Sequence, residues 1–114
     1  MTLFRLWMAT IFIIIAVYTV ITIANDGLLA LFPTFFGDMM EMGWPGQFNL
    51  DFMFMLSLSA LWVLWRNEFR GVAIPLGLLA FFFGAPFLTA YFLYLSFRED
   101  GNVPRMLLGN RLPG

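Results

Sequence analysis

The residues most able to do chemistry in this chain are Asp51, Ser57 and Ser59, which lie on one strongly apolar stretch. Asp51 is the one acidic residue inside a predicted membrane span, and an ionisable group at membrane depth is a functional hypothesis by default. With the two serine hydroxyls it would form an intramembrane polar site for a proton or a cation. The structural alternative, which the sequence favours, is that Asn49 caps the helix N-terminus and Asp51 meets the positive end of the helix dipole.

Other catalytic and ligand chemistry is restricted by residue type, because the chain has no Cys, His or Lys. It therefore offers no ordinary zinc, haem or iron–sulfur ligand set, no thiol or amine nucleophile and no imidazole base. Met39, Met40 and Met42 carry thioethers that can bind Cu(I), but no His or Cys completes the set. We expect no enzyme activity, no metal site and no cofactor. Contact with a lipid, carotenoid or quinone stays open, because the fifteen Phe residues suit a polyene as well as lipid.

The elements that must position these residues are three uncharged runs. They are Leu6–Ala24, Phe52–Trp65 and Gly71–Phe97. Hydrophobic residues make up 61% of the chain and charged residues 11%, far from the balance of a soluble domain. A bilayer core needs about 20 apolar helical residues to cross it. The sequence predicts an all-α integral membrane protein, a single membrane domain with transmembrane helices at about residues 3–24, 48–65 and 71–97. The first run exceeds the length of a signal-peptide core, so we expect it to be retained.

The connections carry structure of their own. Residues 27–36 are too apolar for free solvent and too short to span, which predicts an interfacial or re-entrant helix broken at Pro33. The polar tail at 98–114 contains a short apolar stretch, Val103–Leu108, and we expect it to rest on the membrane surface or on a partner.

Arginine placement predicts the orientation. Arg5 precedes the first helix, Arg66 and Arg70 lie between the second and third, and the connection from residue 25 to residue 48 has no cation. By the positive-inside rule the N-terminus is cytoplasmic, and three crossings then place the C-terminus outside a bacterial cytoplasmic membrane. This exports Arg98, Arg105 and Arg111, so the arginines divide equally between the two sides.

The third apolar run carries a ridge of small residues. Ala73, Gly77, Ala80 and Gly84 recur at spacings of four, three and four, which places them on one helical face. We expect this face to pack against helix 1 or 2 of the chain, with a partner subunit or an isoprenoid tail as alternatives. Pro86 follows, and its missing amide predicts a kink in the helix.

Several short segments resemble a known family. They are Phe48-Asn-Leu-Asp-Phe, Ser57-Leu-Ser-Ala-Leu-Trp, Arg66-Asn-Glu-Phe-Arg-Gly, Tyr91-Phe-Leu-Tyr-Leu and Arg98-Glu-Asp. Over about residues 48–100 the chain is similar to a family of small bacterial three-helix membrane proteins that carries only a domain-of-unknown-function label. The resemblance implies a three-helix bacterial membrane protein and brings no activity or site residue with it.

The sequence thus favours a non-enzymatic accessory or structural subunit of a larger membrane complex. The expected partners are the lipid bilayer and other membrane subunits or a second copy of the chain. Nucleic acid is not an expected partner, because the net charge is −1 and the cations are scattered. The alternatives are a small protein that binds a lipid, isoprenoid or pigment, and a homo-oligomeric proton or ion conductor that uses Asp51.

Overall fold

The protein is built from helices joined by short turns. Its computed structural model describes residues 1–112, and within that range there is no β-strand. The α-helices are α1 (Thr2–Asp26), α2 (Leu31–Glu41), α3 (Trp44–Arg66), α4 (Ala73–Phe83), α5 (Ala85–Arg98) and α6 (Val103–Leu108). Short 3₁₀ helices, Leu28–Ala30 and Gly109–Arg111, precede α2 and follow α6. The all-α prediction is confirmed, and α1 and α3 are long and apolar enough to cross a membrane.

The first connection is helical over a longer range than predicted. Gly27, with φ of 82°, ends α1, and the chain then continues through the 3₁₀ turn into α2. Pro33 does not break this helix, because it is the third residue of α2 and the amides of a first turn have no intrahelical acceptor. α2 runs antiparallel to α3: Asn49 Nδ2 donates to the Phe35 carbonyl at 3.0 Å, and Gly46 lies against the backbone of Asp38.

Helix α3 begins at Trp44, earlier than the predicted start at residue 48. Gly43 is the extended N-cap and Pro45 occupies the second helical position, where a missing amide is tolerated. Asn49 and Asp51 consequently lie well inside the helix. The predicted roles of Asn49 as N-cap and of Asp51 as first-turn dipole partner are therefore wrong.

The predicted third helix, 71–97, is two helices. Gly84 separates α4 from α5 with φ of 61° and ψ of −129°, and it lies beside Phe52 and Leu56 in the middle of α3. Yet Glu99, just after α5, lies 3.7 Å from Arg66 at the C-terminal end of α3. A straight helix from Ala73 would carry residue 99 about 39 Å away at 1.5 Å per residue.

The chain must therefore reverse at Gly84. α4 runs down along α3, and α5 returns to the same end, so that α4 and α5 form a helical hairpin. Pro86 supports the reversal because it is the second residue of α5, where no amide is needed. The prediction of one continuous, kinked helix over residues 71–97 is wrong.

The core lies between the C-terminal part of α3, the α4–α5 hairpin and α6. Val63 of α3, Ala80 of α4, Tyr91 and Leu95 of α5, and Met106 of α6 form one buried cluster. α1 joins it at its first turns only. There Phe4 meets Phe92 edge to face, with ring centroids 6.0 Å apart, while most of the later α1 side chains are exposed.

The hairpin gathers all the arginines at one end of the molecule, which we call the arginine end. They are Arg5, Arg66, Arg70, Arg98, Arg105 and Arg111. Met1 lies against Gly101 at this end, so the N-terminus and the start of the tail are neighbours. This differs from the predicted placement of the two termini on opposite sides, for the part of the tail that the structure describes. Pro113 and Gly114, the last residues of the predicted tail, lie outside the described range.

Candidate functional site

The arginine end is organised around a buried guanidinium. Arg66, the last residue of α3, is only 7% exposed. Its Nε donates to the Met106 carbonyl at 2.6 Å and its Nη2 to the Arg105 carbonyl at 3.2 Å. Both carbonyls belong to the last turn of α6, at the negative end of its dipole, and the Arg105 carbonyl also accepts from the Gly109 amide. Arg66 thereby caps α6, and this pairing offsets part of the cost of burying a charge.

Two further side chains complete the surroundings of Arg66. The Tyr91 hydroxyl accepts a hydrogen bond from Asn67 Nδ2 at 2.9 Å and lies 3.5 Å from Arg66 Nη1. The Glu99 carboxylate lies 3.7 Å from Arg66, 3.9 Å from Arg98 and 2.9 Å from Arg105. One carboxylate thus faces three guanidinium groups, which leaves an excess of positive charge around it.

Hydrogen bonds between α3 and the tail hold the tail at this end. Trp62 Nε1 donates to the Leu107 carbonyl at 3.0 Å, and Arg111 Nε donates to the Trp65 carbonyl at 3.0 Å. Met106 is 2% exposed in the core. The stretch Val103–Leu108, expected to rest on a membrane or a partner, instead packs on the chain's own helices.

A polar cavity of about 220 Å³ opens beside this network. We call it the arginine pocket, and its lining includes Arg66, Asn67, Arg70, Arg98, Glu99 and Asn110. Arg70 pairs with Glu68, which also lines the pocket, at 3.2 Å through Nε. The arrangement can bind an anion, because guanidinium groups from three separate segments border one cavity.

A larger cavity of about 380 Å³ lies at the opposite end, between the second half of α1, α2 and the start of α3. We call it the outer cleft, and its lining includes Tyr18, Thr22, Asp26, Thr34, Asp38 and Asn49. Its size falls in the range of small-molecule sites. No arginine lines it, so its two carboxylates favour a neutral or cationic group.

The polar residues predicted as an intramembrane site are not brought together. Ser57 and Ser59 lie about 9 and 12 Å from Asp51 along the axis of α3. Asp51 is exposed, and the Ser57 hydroxyl bonds to the Phe54 carbonyl of its own helix at 2.6 Å. Ser59 Oγ is buried without a hydrogen-bond partner among the described residues. The three side chains do not form one site.

The small residues of the predicted ridge face α3. Ala73 and Ala80 are fully buried, a Cβ on Gly77 would lie 2.9 Å from Leu64, and Gly84 adjoins Leu56. The ridge runs along α4 to its end, and its last residue, Gly84, is the residue at which the chain reverses. Close approach of two backbones is what small residues permit.

Sequence reasoning does not find the contacts of Arg66, Tyr91 and Glu99. From the sequence, Arg66 is only a topology signal and Tyr91 only an interfacial ring. The apolar stretch inside the polar tail is the available signal, since it indicates a segment that packs on something. Nothing in its spacing indicates that the partner is the C-terminal end of α3.

Comparison of the chain with protein-family models, with curated proteins and with solved structures finds no match. The fold defines the class: an all-α chain with two helices of membrane-spanning length and a helical hairpin packed on both of them, α4 on α3 and α5 on α1. The geometry of the two ends is therefore the basis for assigning a function.

Proposed function

We propose that the chain is a non-enzymatic accessory subunit of a larger complex in a bacterial cytoplasmic membrane. The observation that carries the proposal is the uncovered outer part of α1. Val17, Val20 and Ile21 are each more than half exposed, and the side chains of α1 that are not exposed all lie between Phe4 and Ala16, where α1 packs on α5. The part of α1 from Val17 onward therefore has exposed surface for another subunit.

The opposite face of the outer part of α1 carries polar side chains that a second helix could also contact. Tyr18, Thr19 and Thr22 face the outer cleft. The threonine hydroxyls bond back to carbonyls of α1 itself, which makes them compatible with a close helix–helix contact. Small hydroxyl residues are enriched at such contacts in membranes.

Charge asymmetry supports the orientation that goes with this role. The arginine end carries all six arginines, whereas Asp26, Asp38 and Glu41 lie at the other end with no cation. By the positive-inside rule the arginine end is cytoplasmic. Both termini then lie in the cytoplasm, α1 and α3 cross the bilayer, and the α4–α5 hairpin enters it from the cytoplasmic side. A re-entrant hairpin is tolerated where it is buried against protein, as α4 is against α3.

Reporter fusions test the orientation. A reporter that is active only outside the cytoplasm is expected to work after Asp38 and to fail after Asn67 and after Gly114. A reporter that is active only in the cytoplasm provides the matched control at each position. Activity of the external reporter after Gly114 would contradict the hairpin orientation and restore a third crossing.

Photo-crosslinking in native membranes tests the subunit role. A photoreactive residue at Val20 is compared with one at Phe82, because the two side chains are 66% and 65% exposed and lie on different helices. We expect a discrete protein adduct from Val20, lipid adducts from Phe82, and migration of the native protein with a large assembly in blue-native electrophoresis. Lipid adducts from both positions, together with a small native species, would refute the proposal.

A second candidate is a protein that binds a small amphiphile, and the outer cleft favours it. Six of its thirteen lining residues are aliphatic or aromatic, and the carboxylates of Asp26 and Asp38 also line it, so both an apolar tail and a polar group could be held there. Extraction of the purified protein with organic solvent, followed by mass spectrometry, would reveal a stoichiometric lipid, isoprenoid or pigment. Thr34→Trp, which fills the cleft, should release that molecule, whereas Phe82→Trp on the exposed face of α4 should not.

A further inference from the structure

The arginine pocket is a separate feature from the surface of α1. We propose that it binds a phosphoryl group, supplied either by the headgroup of an anionic phospholipid or by soluble phosphate. The cavity and its charge carry this inference. It does not depend on the subunit role, which requires no ligand.

The charge balance of the pocket favours an anion. Three arginines line it against two carboxylates, Glu68 and Glu99. Glu99 is already shared with Arg105 at 2.9 Å, which itself lies outside the lining. The lining residues therefore carry one more positive than negative charge, and Arg105 pairs with the same Glu99 carboxylate. A phosphodiester, with one negative charge, would reduce this excess.

The donors of the pocket suit phosphate geometry. Arg70 uses Nε toward Glu68, and Arg98 uses Nε toward Glu99 and Nη1 toward the Tyr94 hydroxyl. Because a guanidinium group carries five N–H donors, both retain donors for another ligand. Guanidinium groups bind phosphate oxygens in pairs, and Arg is preferred at such sites for that reason.

Hydrogen bonds fix the inner wall of the pocket, and its outer side is exposed. Arg66, on its inner wall, is fixed by two carbonyls of α6 and by Glu99, whereas Arg70 and Arg98 on the outside are exposed, their side chains 76% and 62% accessible. A fixed inner wall and exposed outer cations leave guanidinium donors accessible to a small anion. If the arginine end is cytoplasmic, Trp65 near the pocket places it at the level of lipid headgroups, where interfacial aromatic rings lie.

Lipid retention in detergent tests the site. The purified full-length protein is given equal amounts of phosphatidylglycerol and phosphatidylcholine, and the bound lipid is quantified by native mass spectrometry. The test variants are Arg70→Gln and Arg98→Gln. The control is Arg111→Gln, which removes the same charge from the same end, but outside the pocket lining.

We expect the wild type to retain phosphatidylglycerol in preference to phosphatidylcholine. Each test variant should weaken that retention about fivefold, the effect of one basic residue near an anionic surface, while Arg111→Gln stays within about twofold because that side chain is exposed and does not line the pocket. An equal loss in all three variants would mean that only general surface charge is at work, and it would overturn the proposal.

Inorganic phosphate, added to the lipid-free protein and followed by calorimetry, separates the two sources. Binding of inorganic phosphate that is weakened by Arg70→Gln and Arg98→Gln supports the site with a soluble ligand. Retention of phosphatidylglycerol alone supports it with a lipid headgroup. No preference between the lipids and no phosphate binding would refute it. Because these measurements are made in detergent, they do not depend on the orientation that the reporter fusions test.

Discussion

Substitution of Gly84 by Ala distinguishes a hairpin from a straight third helix by the sign of its effect. At φ of 61° and ψ of −129° an L-residue is strained by about 1–3 kcal/mol. The new Cβ would also lie 3.1 Å from Leu56 and from Phe52, and overpacking of this kind costs about 1–3 kcal/mol. The flexible ends of both side chains can shift, so the lower part of that range applies. We expect Gly84→Ala to lower the free energy of unfolding by about 2–4 kcal/mol.

Two other glycines separate the two contributions. Gly27 has φ of 82°, and an added Cβ there would meet no atom within 4 Å, so Gly27→Ala reports strain alone, about 1–3 kcal/mol. Gly77 is helical, and its added Cβ would lie 2.9 Å from Leu64. Gly77→Ala therefore reports the contact, offset by about 0.5–1 kcal/mol of gained helix propensity. The cost at Gly84 should exceed that at Gly77.

Unfolding of the purified protein by SDS in mixed micelles, followed by circular dichroism, measures these differences. If residues 71–97 formed one straight helix, Gly84 would be an interior helical glycine, and Gly84→Ala would stabilise the protein by about 0.5–1 kcal/mol. Stabilisation, or a cost no larger than that of Gly77→Ala, would refute the reversal at Gly84. The Gly27 and Gly77 variants show that the assay resolves effects of this size.

The remaining predictions concern polar side chains, and the first three are measured by the same titration. Tyr91→Phe should lower the free energy of unfolding by about 1–2 kcal/mol, because the hydroxyl accepts from Asn67 in a buried site. The control, Tyr94→Phe at an exposed position, should lower it by less than about 0.5 kcal/mol. Equal losses in the two variants would argue against the buried network. Ser59→Ala should be neutral or stabilising by up to about 1 kcal/mol, because its Oγ has no described partner; a clear loss would reveal a partner for that hydroxyl. Asp51→Leu should change the free energy of unfolding by no more than about 0.5 kcal/mol, because Asp51 is exposed and is not a cap. Loss of a biological activity in a well-folded Asp51→Asn variant would favour the proton or ion conductor over the subunit.

The sequence predicts the helices whose ends carry their own signals. Helix α1 is predicted at about 3–24 and spans Thr2–Asp26, because Arg5 and the Asn25-Asp26-Gly27 sequence delimit its apolar run. The start of α3 is predicted too late, because Gly43-Trp44-Pro45 has the composition of a turn. The same residues are equally suited to an N-cap with Pro in the first turn.

The hairpin could not be predicted from apolarity. An uncharged run such as Gly71–Phe97 has the same composition whether it is straight or folded back on itself. Gly84-Ala85-Pro86 marks the position of an irregularity, but a kink and a reversal use the same residue types. The contacts that decide between them join residues 24 to 40 apart, such as Asn67 with the Tyr91 hydroxyl and Arg66 with the Met106 carbonyl. Local periodicity does not register contacts at that separation.

The hairpin, the tail and the distribution of arginines support one another. With three crossings the arginines divide equally between the two sides, an arrangement that the positive-inside rule disfavours. The reversal at Gly84 removes this conflict, because it returns Arg98 and the tail arginines to the end that already holds Arg66.

The same reversal supplies the partners that a buried Arg66 requires. If α5 continued away from α3, Glu99 and the carbonyls of α6 would be far from Arg66, and removing the partners of a buried charge costs about 3–5 kcal/mol. A third crossing would leave this guanidinium with only its neighbours in the turn after α3, where Glu68 instead pairs with Arg70. The charge distribution and the pairing of Arg66 are both consistent with the hairpin.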